Sequence, residues 1–257
     1  MPRFHVYNLK GEVVGEIQLP EVFKTPIYPL VIKRAFLSQM SRKFQPQGRD
    51  PMAGRRTTAE SIGVGHGVAR VSRVKGGMRA AFVPSAVGGR ATHPPTTSKK
   101  TVKRIPKKER KIALLSAIAA TSSKEVIESR GHVIDKVLEV PLIVTNDVEN
   151  LKKTREVKEA FMNLGLWPDV LRVKNSRKIR AGKGKMRNRT IKEGVGPLII
   201  VEKNSGISEA ARNLPGVDVI KVKDLNVGIL APGAHPGRLT LWSLPAIEKL
   251  NNLLEGV

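Results

Sequence analysis

The sequence has 257 residues, a formal net charge of +24, no cysteine and an aromatic content of only 4%. The lack of cysteine excludes disulfides and thiolate metal sites, and the few aromatic residues argue against a single-strand binder built on base stacking. No apolar run approaches the length of a transmembrane helix, so we expect a soluble, intracellular protein with no membrane partner and one core of normal size.

The first part of the chain contains a predicted hairpin and two predicted helices. Alternating apolar and polar residues over 3–19 indicate a β-hairpin with Gly11 in its turn. A helix is predicted over 27–44, with Pro29 in the first turn, where proline is tolerated. The clearest helical pattern covers residues 105–121 and follows a long basic segment.

From Val133 onward, apolar runs alternate with helical patterns. Strands are predicted over 140–144, 170–173, 198–201 and 217–222, and helices over 154–164, 208–214 and 243–254, the second with Ser208 as its cap. Continuous apolar runs indicate strands that are covered on both faces. The predicted fold class is therefore α/β, a mostly parallel sheet with crossover helices, plus a long extended non-globular basic loop inserted after the first helix.

That loop covers residues 41–104, which hold 14 lysines and arginines but only Asp50 and Glu60 as acidic residues. The segment has nine glycines and five prolines, and it has no leucine, tyrosine or tryptophan. Its apolar residues follow neither a helical nor a strand period. Such a segment cannot bury enough apolar surface to offset the entropy of ordering it. We predict that it becomes ordered only on a polyanion, and that residues 1–40 and 105–257 form the globular domain.

A second basic segment, residues 172–192, holds ten basic residues and no acidic one. Together the two segments carry 22 of the 24 net positive charges, so the rest of the chain is nearly neutral. Charge that is segregated in this way is the electrostatic footprint of a nucleic-acid binder. A solvated charge run is the alternative, but a solvated surface normally has interspersed carboxylates.

No motif predicts a cofactor, a metal ion or catalysis. The glycines around His66 lack the spacing of a dinucleotide fingerprint, and residues 181–185 fail the P-loop pattern. The five histidines show no metal-ligand spacing. His93 is interpreted as an RNA or packing contact, and a structural role for His235 is at least as well supported as a functional one.

Three motifs resemble the large ribosomal subunit protein four family, in its archaeal and eukaryotic branch. They are GGRATHPP at 88–95, IPKKERKIALLSA at 105–117 and APGAHPGRLTLW at 231–242. They occur in order, and the resemblance covers essentially the whole chain. It implies an α/β domain on the outside of the large subunit and a loop that threads through the rRNA to the wall of the polypeptide exit tunnel. It also implies a location in the ribosome, in the cytoplasm.

The partners that the resemblance implies are large-subunit rRNA, neighbouring large-subunit proteins and, transiently, the nascent polypeptide. Residues 172–192 are expected to form a secondary rRNA-binding segment within the globular domain. The side chains expected to contact rRNA are Arg42, Lys43, Arg49, Arg55, Arg56, His66, Arg70, Arg73, Lys75, Arg79, Arg90, His93, Lys99, Lys100, Lys103, Arg104, Lys107, Lys108, Lys174, Arg177, Lys178, Arg180, Lys183, Lys185, Arg187 and Arg189. Arginine suits this role because its planar fork can bridge two phosphate oxygens or stack on a base.

The order of the motifs places the tip of the loop within residues 61–75. There it would help to form the tunnel constriction, opposite the loop of another ribosomal protein. The bacterial branch carries a Lys-Gly-Thr-Gly-Arg-Ala-Arg pattern near its tip, where this chain has Gly-His-Gly-Val-Ala-Arg at 65–70. The expected tip residues are Gly63, Gly65, His66, Gly67 and Arg70.

Two other functions remain open. The first is an RNA-modifying or nucleotide-dependent α/β enzyme with a basic RNA-binding arm. It would need a phosphate-binding glycine turn directly after a strand, or clustered acid–base residues, and neither is visible. The second is a DNA-compacting protein, which is less well supported because the basic loop lacks a recognition helix or a dimeric basic zipper.

Limited proteolysis of the free and the ribosome-assembled protein tests the prediction for the basic loop. We expect cleavage within residues 48–100 of the free protein, because a segment without a core opens readily to a protease. Assembly should protect the same bonds. A free chain that is cleaved elsewhere first, with 48–100 intact, would contradict the prediction.

Overall fold

The computed structural model describes residues 3–255, so residues 1–2 and 256–257 of the predicted globular domain lie outside the described part. The chain divides into two units. One unit, here called the body, comprises residues 1–40 and 104–257, and the other, called the insertion, comprises residues 41–103. Each unit is described by itself.

The secondary structure of both units is as follows. The strands are β1 (Arg3–Tyr7), β2 (Val13–Gln18), β3 (Ala59–Glu60), β4 (Arg73–Val74), β5 (Leu142–Val144), β6 (Lys178–Ile179), β7 (Ile191–Lys192), β8 (Leu198–Val201), β9 (Asp218–Lys221) and β10 (Thr240–Ser243). The helices are α1 (Pro29–Ser41), α2 (Lys107–Ala119), α3 (Lys124–Ser129), α4 (Thr154–Asn163), α5 (Trp167–Ser176), α6 (Ile207–Ala211), α7 (Val227–Leu230) and α8 (Leu244–Glu255).

The body is built on a six-stranded sheet in the order β2-β1-β5-β10-β8-β9. All neighbouring strands in it pair in parallel except β1 and β2, which form the predicted antiparallel hairpin. Gly11 has a φ of 86° in the hairpin turn, a left-handed conformation that favours glycine. The predicted mostly parallel α/β sheet is therefore confirmed.

The central strands are apolar throughout because both faces of the sheet are covered. In β8, Ile199 and Val201 pack in one core with residues of α3, α4, α5 and α6. Their neighbours Leu198 and Ile200 pack in a second core with residues of α1, α2, α7 and α8. Successive side chains of a strand point to opposite faces, so a continuous apolar run fills both cores.

One strand prediction was wrong, and one strand was missed. Residues 170–173, predicted as a strand, lie in α5, where Val170 and Val173 are both buried at the i, i+3 spacing of a helix. The central strand β10 was missed because the polar residues Thr240 and Ser243 interrupt its apolar run. Both are buried and bonded: Trp242 Nε1 donates to Thr240 Oγ1 at 3.0 Å, and Ser243 Oγ donates to Glu149 at 2.6 Å.

The predicted cap of α6 was also wrong. Ser208 lies inside the first turn of the helix, and the residue that precedes the helix is Gly206, with a φ of 138°. The backbone N–H of Ser208 donates to Asn204 Oδ1 at 3.2 Å. The side chain of Asn204, four residues earlier, therefore accepts a hydrogen bond from the first turn of this helix. Glycine is acceptable at this position because its backbone reaches positive φ without strain.

A buried arginine joins the ends of several elements of the body. The side chain of Arg238 is 1% exposed and donates from Nε to the carbonyl oxygen of Gly196 at 2.9 Å. Its Nη1 donates to the carbonyl oxygen of Ile229, and its Nη2 pairs with Asp218 at 2.5 Å. A buried guanidinium is stable only when its donors are satisfied in this way, so the arginine of the 231–242 motif is a structural residue.

Replacing Trp242 by alanine tests the core described above. Trp242 is fully buried and its ring meets Phe23 edge-on, with 5.5 Å between centroids. We expect Trp242→Ala to lower the free energy of unfolding by about 3–5 kcal/mol, measured by urea unfolding. The matched control Trp167→Ala should lower the free energy of unfolding by clearly less, because Trp167 is only partly buried. Equal losses would contradict this assignment of the core.

Candidate nucleic-acid interface

The two halves of the insertion are joined by nested contacts. β3 pairs with β4 in antiparallel fashion, Ala59 opposite Val74 and Glu60 opposite Arg73. Hydrogen bonds on both sides of this pairing follow the same order: Lys103 N to Ser41 Oγ (2.9 Å), Arg49 N to Pro95 O (3.2 Å), Lys75 N to Thr58 O (3.2 Å) and Ser61 Oγ to Arg70 O (3.4 Å). The segment 62–69 is therefore the turn that closes the insertion.

The insertion has no buried core. Each of residues 42–103, all within the described part, is partly or fully exposed. Close backbone approaches take the place of side-chain packing. A Cβ on Gly54 would lie 2.4 Å from the carbonyl oxygen of Gly89, and one on Gly89 would lie 1.9 Å from that of Val83. Glycine is required at both positions, because any side chain there would collide with backbone.

The expected tip residues lie in or beside the closing turn. Gly63, Gly65 and Gly67 have φ values of 82°, 86° and 64°, and a Cβ on any of them would meet open space. The positive φ values, not steric contacts, are what favour glycine here. His66 is exposed between them, and Arg70 lies where Ser61 bonds its carbonyl oxygen.

Most of the basic side chains expected to contact rRNA are exposed. Within the described part of the chain, the following form no side-chain hydrogen bond or ion pair: Arg42, Lys43, Arg49, Arg55, Arg70, Arg79, Lys99, Lys100, Arg104, Lys107, Lys108, Lys174, Lys178, Lys183, Lys185, Arg187 and Arg189. Lys103, His66 and His93 are exposed as well. The unpaired lysines and arginines of this set repel one another and are available to an external anion.

Several of the expected contact residues in the insertion have local partners. Arg56 pairs with Asp50 at 2.6 Å and Lys75 pairs with Glu60 at 3.6 Å, each pair being exposed. The guanidinium of Arg73 donates to the carbonyl oxygen of Met78, and that of Arg90 lies 5.7 Å from the centroid of the Phe82 ring. Exposed ion pairs contribute little to stability, so Arg56 and Lys75 can exchange their carboxylate for a phosphate.

The second basic segment begins on α5 and continues as a hairpin of β6 and β7. Arg180 holds this hairpin together: its Nε donates to the carbonyl oxygen of Arg189 at 3.0 Å and its Nη2 to that of Ile191 at 3.3 Å. Arg177 pairs with Glu193 at 3.7 Å. Arg180 therefore positions the hairpin, and the exposed cations around it face solvent.

The body also contains a polar cluster that no sequence motif predicted. Asp169 is fully buried and accepts hydrogen bonds from His132 Nδ1 at 2.9 Å, from Arg172 Nε at 2.8 Å and from the backbone of Val133 at 3.0 Å. Burial raises the pKa of Asp169, but the hydrogen bonds from His132 and Arg172 outweigh it and hold the pKa below its ordinary value. Burial lowers the pKa of His132 despite this carboxylate.

One part of this cluster could have been found from the sequence. Arg172 follows Asp169 by three residues, the spacing at which side chains meet on a helix, and only the wrong strand prediction hid it. His132 lies far away in the sequence, so no local pattern connects it to Asp169. Arg172 therefore has a buried carboxylate partner, which most cations of the second segment lack.

The described residues show neither a metal cluster nor a membrane span. No group of three histidine, aspartate or glutamate side chains among residues 3–255 is placed to hold a metal ion. No helix in the same range combines the length and the apolar character that crossing a membrane requires.

Comparison with known proteins gives one consistent result. The model of the ribosomal protein L4/L1 family matches residues 17–253. Large ribosomal subunit protein uL4 of Methanosphaera stadtmanae is 49% identical over 255 residues, which cover 99% of this chain and 98% of that protein. The uL4 protein of Methanococcus aeolicus is 52% identical over 246 residues, covering 96% and 97%. That of Archaeoglobus fulgidus is 49% identical over 249 residues, covering 97% and 98%.

Replacing Arg180 by lysine tests its role in the hairpin. Lysine keeps the charge but cannot donate to two carbonyl oxygens in a fixed plane. We expect hydrogen exchange at the backbone amide of Arg180, which donates to Thr190 at 2.8 Å, to become about tenfold faster in Arg180→Lys, the effect of losing one or two hydrogen bonds. The control Arg187→Lys changes an exposed arginine and should exchange like the wild type. Equal exchange in both variants would refute the positioning role.

Proposed function

The chain belongs to the ribosomal protein L4/L1 family, and from that premise we propose that it is a structural constituent of the large ribosomal subunit. It binds and stabilises large-subunit rRNA, performs no catalysis and resides in the ribosome, in the cytoplasm. The observation that carries this proposal is the concentration of the net positive charge in residues 41–104 and 172–192, where most cations are exposed and have no carboxylate partner among the described residues. The proposed partners are large-subunit rRNA and neighbouring ribosomal proteins.

The mechanism is neutralisation of phosphates where RNA segments approach one another. Each exposed lysine or arginine that meets a phosphate releases condensed counterions, which drives binding and makes it depend on salt. Phosphate contacts position a protein without reading the sequence. Selectivity must therefore come from the tertiary shape of the RNA.

The composition of the insertion suits penetration into packed RNA. Without a buried core, it does not require a globular volume among the helices. Each half has about 30 residues and could span up to roughly 100 Å if fully extended. We propose that the insertion extends through the rRNA, that the turn 62–69 reaches the wall of the polypeptide exit tunnel, and that the nascent chain passes it there. The glycines at 63, 65 and 67 keep this turn slender.

The salt dependence of rRNA binding tests the proposal. The logarithm of the affinity should fall linearly with the logarithm of the salt concentration, by roughly 0.7–0.9 per phosphate contact. The triple variant Lys183→Gln, Lys185→Gln, Arg187→Gln should reduce the slope by about two, measured by filter binding to large-subunit rRNA. The control Lys10→Gln, Arg155→Gln, Arg212→Gln removes the same charge from exposed positions of the body and should keep the wild-type slope.

Two results would contradict the proposal. Wild-type affinity that does not change with salt would exclude phosphate neutralisation as the source of binding. Clear equilibrium binding of labelled ATP, NAD or S-adenosylmethionine to the free protein would favour the alternative, an RNA-modifying or nucleotide-dependent enzyme with a basic RNA-binding arm.

A further inference from the structure

The body contains a polar cavity that the proposed function does not yet use. Its volume is about 430 Å³, and it lies beside the C-terminal end of α3, the middle of α5 and the loop before β10. The residues that line it are Val126, Ser129, Arg130, His132, Arg172, Val195, His235 and Pro236. This set includes two arginines and two histidines but no carboxylate.

The charges around the cavity do not balance. Arg172 is neutralised by Asp169, whose two oxygens also accept from His132 and Val133. Arg238 is paired with Asp218. Among the residues that the structure describes, no carboxylate pairs with Arg130, so one positive charge remains without a counter-charge. Burial and the nearby charges of Arg238 and Arg172 lower the pKa of Arg130 to about 10.

The guanidinium of Arg130 is held in place by backbone, which leaves part of it open to the cavity. Its Nη2 donates to the carbonyl oxygen of Pro232 at 2.8 Å, and its Nη1 donates to that of His235. A guanidinium has five N–H donors, so these two bonds fix its plane and three donors remain. Arg172 likewise uses Nε on Asp169 and Nη2 on the carbonyl oxygen of Val195, which leaves Nη1.

We propose that this cavity binds a phosphate group of RNA, together with part of the nucleotide that carries it. This inference rests on the proposed function and names a specific site for it. The phosphate supplies the negative charge that Arg130 lacks, and its oxygens match the planar forks of two arginines. Val126, Val195 and Pro236 provide apolar wall for the attached ribose.

RNA is favoured over a free nucleotide by the position of the cavity in the chain. Arg172 lines the cavity and is also the first residue of the second basic segment. Lys174 and Arg177, exposed at the end of α5 and just after it, follow Arg172 in the chain and precede the hairpin of β6 and β7. A polyanion that follows these cations can place one of its phosphates in the cavity without an additional binding surface.

Placing a carboxylate in the cavity tests the inference directly. Ser129→Glu supplies the missing negative charge from an exposed residue of the wall. We expect it to bind large-subunit rRNA about tenfold more weakly, with the log–log salt slope reduced by roughly 0.7–0.9, one phosphate contact. Its melting temperature should be unchanged or higher, because the new carboxylate compensates Arg130. A purely structural role for Arg130 predicts no change in binding.

Two controls separate the site from general effects of charge and shape. Asn213→Glu adds the same charge at an exposed position elsewhere in the body and should keep the wild-type slope. Ser129→Gln matches the shape of the new side chain without its charge and should bind like the wild type. If Ser129→Glu behaves like Asn213→Glu, the inference is wrong while the proposed function stands. If the affinity of the wild type for rRNA does not depend on salt concentration, the proposed function is wrong.

Titration with inorganic phosphate and AMP distinguishes the two sources of a phosphate. We expect only millimolar binding of either to the wild type, detected as shifts of the ring resonances of His132 and His235, and loss of that binding in Ser129→Glu. Micromolar binding of AMP, combined with an unchanged rRNA slope in Ser129→Glu, would assign the cavity to a free nucleotide and overturn the RNA source.

Discussion

Uncompensated positive charge is the constraint on which the rest of this protein depends. Residues 41–104 and 172–192 carry almost all of the net charge, and most of their cations have no carboxylate partner within the described chain. Repulsion among these cations opposes any compact packing of the segments. The insertion accordingly contains no buried side chain between residues 42 and 103.

The body, in contrast, has a buried apolar core. Its sheet is covered by helices on both faces, so that successive residues of β8 serve alternate cores. Arg238 satisfies carbonyl oxygens of Gly196 and Ile229 and pairs with Asp218, which explains an arginine in a motif that is otherwise glycine, proline and apolar residues.

The two uses of arginine in this chain differ in surroundings. Arg238 and Arg180 are engaged by backbone carbonyl oxygens and fix the geometry of the chain around them. Arg187 and Arg189 have no such partners and are exposed. Arg130 lies between these cases, since carbonyl oxygens hold it but no carboxylate balances it. Arg130 therefore has a positive charge without a counter-charge and lies beside a cavity. These two properties separate an arginine that can bind a ligand from one that only supports the structure.

The sequence by itself determined the mostly parallel α/β fold of the body, the hairpin at the start of the chain, the concentration of net charge in two segments, and the resemblance to a ribosomal protein family. These follow from composition and short periodic patterns, which are local properties.

The sequence patterns gave the wrong result where tertiary burial overrides local preference. The run at 170–173 became part of a helix because both of its valines face one core, and β10 was hidden because Thr240 and Ser243 find partners only in the folded chain. The structure alone decided which arginines are occupied and that residues 130, 132, 172 and 235 surround one cavity. Arg130 and His235 are 105 positions apart in the sequence, and only the packing of α3, α5 and the loop before β10 brings these residues together.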